Sequence, residues 1–137
     1  MRRILCVTCL SLAAAACDRQ YDYLGPSPQP FFQSMNGTVS LYGSNYHPLS
    51  IPYTGTMYLT LSWNDPTIDL DLYLAAPGCI NLHPLDGCGY FAASDSSVGV
   101  VRETITRTVY AGESYSIWID NLSLTRASPY NISVSIQ

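Results

Sequence analysis

The sequence predicts an all-β protein, a two-layer antiparallel β-sandwich. Three observations predict it. Four segments alternate apolar and polar residues with a period of two, each carrying one apolar face. Eleven Tyr and frequent Thr, Val and Ile favour strands, while Gly and Pro are scattered as turn residues between them. Beyond the first sixteen residues, no segment has helical periodicity.

The chain opens with an export layout. Met1-Arg2-Arg3 is followed by an apolar run from Ile4 to Ala16 that ends in four alanines, so residues 1–16 are expected to be a signal peptide. That run is too short to span a bilayer comfortably. Cys17 follows at once, and Ala14-Ala15-Ala16-Cys17 resembles the bacterial lipobox, with Ala14 where Leu is commoner. The resemblance implies acylation of Cys17 and a lipid anchor in the membrane of the cell envelope, its leaflet open. An ordinary A-x-A-type cleavage site releasing a soluble chain is the alternative. Residues 17–33 then form a tether, since Pro26, Pro28 and Pro30 favour extended polyproline II. Phe31 and Phe32 mark the junction with a single domain at 34–137.

Within that domain, Met57, Leu59, Leu61 and Trp63 alternate with Tyr58, Thr60 and Ser62. Ile68, Leu70, Leu72 and Leu74 alternate with Asp69, Asp71 and Tyr73, and Tyr115, Ile117 and Ile119 with Ser116, Trp118 and Asp120. The last segment sets Tyr130, Ile132, Val134 and Ile136 against Asn131, Ser133 and Ser135. Weaker strands are expected at 37–42, 49–53 and 100–110. Turns are expected at Asn64-Asp65-Pro66, Ala111-Gly112-Glu113 and Ser128-Pro129.

The stretch from Leu61 to Leu74, LSWNDPTIDLDLYL, resembles the L-x-W … D-L-D-L-Y-L hairpin of the pre-peptidase C-terminal domains of secreted bacterial proteins. Val109–Tyr115 is similar to that family's glycine turn, and Pro129–Val134 to its closing strand. The resemblance implies a jelly-roll-like sandwich without catalysis, usually appended to an exported enzyme. Some relatives bind calcium or extracellular polymers. No enzyme precedes the domain in this sequence.

Charge is sparse and acidic. From Cys17 onward four Arg face ten Asp and Glu, a net charge of −6, so no basic patch exists to neutralise phosphates and nucleic acid is excluded as a partner. Asn64, Asp65, Asp69 and Asp71 place several oxygens around one hairpin, the donor type a hard cation prefers, and calcium is the one cofactor this offers. The favoured and plainer reading has these side chains satisfying turn and loop backbone. Using Asp69 and Asp71 as the acid and base of a hydrolase is the weakest reading. Cys79 and Cys88 sit in a Gly- and Pro-rich loop and, after export, are expected to form a disulfide. Adding His83 would instead give a three-ligand zinc site. His47, beside Pro48, reads as an exposed loop residue.

Tyr58, Tyr73 and Trp118 fall on the polar phase of their strands and are the candidate ligand face, suited to stacking on sugar rings or receiving a protein. The competing reading has that face covered by a loop or the tether. The sequence therefore favours an exported, lipid-anchored, non-catalytic binding or structural module of the cell envelope, its partner an envelope protein or a polysaccharide. An accessory subunit of a separately encoded exported enzyme is the alternative.

Overall fold

The computed structural model describes residues 30–82, 88–96 and 98–137. The signal peptide, Cys17 and all but the end of the tether lie outside them. Eight strands occupy the described residues: β1 (Phe31–Val39), β2 (Ser44–Ser50), β3 (Gly55–Ser62), β4 (Leu70–Ala75), β5 (Tyr90–Ser94), β6 (Arg102–Val109), β7 (Ser114–Asn121) and β8 (Ser128–Ile136). They form two four-stranded sheets, the first in the order β1-β8-β3-β6 and the second β2-β7-β4-β5. Every pairing is antiparallel. The partners β1·β8, β2·β7, β3·β6 and β4·β5 describe one long antiparallel ribbon, doubled back on itself and rolled into two layers. That is the jelly roll the family resemblance implies.

The period-two pattern works because alternate side chains reach opposite faces of a strand. Leu59 and Leu61 of β3, Leu72 and Leu74 of β4, Ile117 and Ile119 of β7, and Ile132 and Val134 of β8 all meet in one buried core. Each such side chain contributes about 1.5–3 kcal/mol on leaving water. Trp63 closes the core at the end of β3, its Nε1 donating to the Ile68 carbonyl at 3.1 Å.

Several expectations need correcting. β1 starts at Phe31, so 31–33, expected to end the tether, lie in a strand, where Phe31, Phe32 and Gln33 pair with Ile136, Ser135 and Val134. The Phe31 ring then packs edge-on against Tyr53, 6.5 Å between centroids. The weak strands at 37–42 and 49–53 shift to β1 and β2, so Pro48 lies inside a strand. β2 is an edge strand, where a proline costs the sheet no interior ladder bond. Ser128-Pro129 opens β8 rather than forming a turn, and Pro129 lies beyond the stretch that pairs with β3.

His47 is also not an exposed loop residue. It lies in β2 facing the other sheet, with Nε2 2.7 Å from the Tyr130 hydroxyl, which accepts from Asn45 Nδ2 at 3.2 Å. Burial lowers its pKa. Gly37, opposite Tyr130 in the register, makes this clasp fit, since a Cβ there would stand 2.6 Å from the hydroxyl oxygen.

Candidate functional site

The four oxygen-bearing residues expected around one hairpin do not converge. Asn64 is exposed. Asp65 Oδ1 accepts from the Thr67 amide at 2.9 Å and the Thr67 hydroxyl at 2.6 Å, and Oδ2 stands 3.0 Å from Arg126. These contacts hold its carboxyl below the usual range, the Thr67 bonds most of all. Arg126 also donates to Thr67 Oγ1 at 3.1 Å, tying the β3–β4 and β7–β8 connections together. Asp65 thus serves the loops, in line with the plainer reading. Asp69 precedes β4 rather than lying in it, while Asp71 faces outward from the second sheet. Among the described residues, no group of three or more His, Cys, Asp or Glu side chains has the arrangement of a metal site.

The expected aromatic face also divides. Tyr58 stands on the outer face of the first sheet, Tyr73 and Trp118 on that of the second. The β3–β4 connection crosses between layers, so the polar phases of consecutive strands face opposite ways. Across the second sheet, Tyr46 of β2, Trp118 of β7 and Tyr73 of β4 are direct register neighbours. Tyr46 stacks on Trp118 at 5.4 Å, and Tyr73 tilts against Tyr90 of β5 at 5.2 Å.

Trp118 itself is only 6% exposed, because Cys79, Leu82 and Cys88 of the β4–β5 connection pack against its cluster. Ala75 and Cys79 bury with Trp118, and Tyr73, Leu82 and Cys88 pack against them, forming a second small core outside the sandwich. The Cys79–Cys88 disulfide pins this loop, with its Cα atoms 5.8 Å apart, inside the usual range for such a bridge. The Cys88 amide donates to the Asn81 carbonyl at 3.0 Å. His83, the third ligand of the zinc alternative, lies outside the described residues.

Between that loop and the sheet lies a cavity of about 290 Å³, lined by Tyr73, Leu82, Cys88, Tyr90, Asp95 and Asp120. One register row from the aromatics, Asp71 pairs directly with Asp120. Asp71 is 5% exposed and accepts a hydrogen bond from the Tyr73 hydroxyl at 3.0 Å. Burial first, then the charges of Asp69, Asp95 and Asp120, push its pKa from 3.8 to about 6. Burial raises Asp120 as well, and one of its oxygens is buried without a hydrogen-bond partner. Among the described residues no arginine pairs with Asp71, Asp95 or Asp120. The site is a pair of aromatic walls beside carboxylates that the described residues leave without a cation.

The raised pKa sets a pH dependence. A carboxyl whose folded pKa lies above its unfolded value binds its proton more tightly when folded. Its favourable contribution is therefore whole below about pH 4 and is lost as pH rises through about 6. Asp71→Asn, neutral throughout, should be more stable than the parent by about 1–2 kcal/mol at pH 8 and equal to it near pH 4. Urea unfolding at the two pH values measures this, and a gain of the same size at both would place the effect elsewhere than in the charge.

Tyr90, Asp95 and Tyr46 carry no local signal that would have placed them here. Asp120 does, since it shares the polar phase of β7 with Trp118.

Among solved structures, the chain is similar to the Yersinia pseudotuberculosis-derived mitogen, with a TM-score of 0.56 and 18% identity over 80% of this chain and 88% of that one. It is similar to Aeromonas hydrophila PliG, a periplasmic inhibitor of g-type lysozyme, at 0.57 and 16% over 83% and 93%. The pre-peptidase C-terminal domain of the Bacillus anthracis collagenase matches at 0.51 and 15%, over 74% and 87%. At these identities the shared property is the fold, and the fold expected from the Leu61–Leu74 hairpin is the one found. No family model and no curated protein sequence matches the chain.

Proposed function

We propose that this chain is a non-catalytic binding module of the bacterial cell envelope, exported and held to the membrane through acylated Cys17. It engages its partner at the outer face of the second sheet. The observation that carries this reading is the cavity beneath the disulfide loop, where Tyr73 and Tyr90 stand beside Asp95 and Asp120. Aromatic faces and carboxylates that the described residues leave without a cation together suit an ammonium or guanidinium group, by cation–π attraction and by charge pairing. Such a group is carried by Lys and Arg side chains of an envelope protein. The disulfide suits an oxidising compartment outside the cytoplasm.

The accessory-subunit reading is favoured by the same cavity, because its chemistry fits a protein surface. Among the structural neighbours, PliG is an inhibitor directed at an enzyme.

The test is a titration of the isotopically labelled mature protein with a short oligolysine peptide, followed by amide chemical shifts. Changes should cluster at Tyr73, Tyr90, Asp95 and Asp120, weaken with added salt, and shrink several-fold in Asp120→Asn. Shifts scattered over the surface, or none at millimolar peptide, would contradict the proposal.

A further inference from the structure

The first sheet turns a different surface to solvent. Its outward positions, read through the register, form rows that cross all four strands. One row runs Thr106, Tyr58, Ser135, Phe32, and the next Thr104, Thr60, Ser133, Ser34. A third runs Arg102, Ser62, Asn131, Asn36. Phe32 is 69% exposed and Tyr58 40%. They flank Ser135 from β1 and β3, two strand spacings or about 10 Å apart. Between and beside them stand hydroxyl and amide groups able both to donate and to accept. None of the described carboxylates of this acidic chain lies on the face, and Arg102, at its margin, is the only charge there among the described residues.

We infer that this face binds a neutral, β-linked polysaccharide chain lying across the strands. Two exposed rings spaced by about the length of one disaccharide can each take the apolar face of a sugar, while the neighbouring Ser, Thr and Asn side chains meet its hydroxyls. The described residues put no acidic group on this face, which matches a polymer without charge rather than a cationic one. An anionic polymer would meet only Arg102 in an otherwise acidic molecule, which disfavours it. The surface is separate from the cavity under the disulfide loop and would let the domain hold a glycan and a protein at once.

The experiment is retention of the mature protein on two insoluble neutral polysaccharides, cellulose and chitin, with the polyanion heparin on beads as a control. Retention on a neutral polymer is expected, with affinity falling about three- to tenfold in Phe32→Ala and again in Tyr58→Ala. Tyr58→Phe, which keeps the ring, should restore it. Phe32 is mostly exposed and Tyr58 partly so, and unfolding midpoints should fall by no more than a few degrees. Asp120→Asn should bind the polysaccharide normally, which separates this inference from the one about the cavity. No retention on either neutral polymer, retention indifferent to both ring substitutions, or retention on heparin alone would overturn it. So would association of two copies that the same substitutions abolish, since the face would then be a self-interface.

Discussion

Trp118→Ala is expected to cost about 3–5 kcal/mol of folding stability, the range for removing a buried Trp. For a domain of roughly 100 residues that lowers the melting midpoint by more than about 10 °C. The effect is large because Trp118 lies outside the main core yet is 6% exposed, sealed by the β4–β5 loop and stacked on Tyr46. Removing it strips the loop of its floor and leaves Ala75 and Cys79 facing a void. Trp118→Phe, retaining a ring against Tyr46, should recover most of the loss. A midpoint within a degree or two of the parent for Trp118→Ala would mean the loop does not rest on this ring.

Replacing Cys79 and Cys88 together by serine is expected to cost about 2–3 kcal/mol through the freed loop of the unfolded chain. The sequence separation is 9, so the closure is short and the entropic share modest. A second consequence is local. With the loop unpinned, water reaches Trp118, and its emission should shift to longer wavelength, read in a Trp63→Phe background to remove the other indole. Loss of the bridge and loss of Trp118 act on one cluster, so the variant combining Trp118→Ala with both serines should fall short of the summed losses. Strict additivity, or an unmoved emission maximum, would show the loop to be held by other contacts.

Most of the core is legible in the amino-acid sequence. Leu59, Leu61, Leu72, Leu74, Ile117, Ile119, Ile132 and Val134 declare themselves by alternation, because burial on one face of a strand imposes a period of two. β5 does not, since Tyr90-Phe91-Ala92-Ala93-Ser94 places two exposed aromatics side by side on an edge strand and breaks that period. Phase also says which residues leave the core without saying which layer they leave from. It therefore groups Tyr58 with Tyr73, though they stand on opposite sheets. The Asp71–Asp120 pair depends on the register of β4 against β7, strands distant in the chain, and Asp65 is claimed by Arg126 from a distant loop. Long-range pairing of this kind leaves no local mark. Spacing and export make the Cys79–Cys88 bridge legible, but not that it roofs Trp118.

The proposal that the disulfide-pinned loop and the second sheet together offer a site for a cationic group underlies every functional expectation for the cavity. Calorimetric titration of an oligolysine peptide into three proteins tests it most directly: the oxidised parent, Asp120→Asn, and the Cys79→Ser/Cys88→Ser variant. The parent should bind with an affinity that falls as salt rises. Asp120→Asn should bind several-fold more weakly for want of a charge, and the serine variant more weakly because the Leu82 and Cys88 wall is no longer held against Tyr73. Equal affinity in all three proteins would contradict the claim.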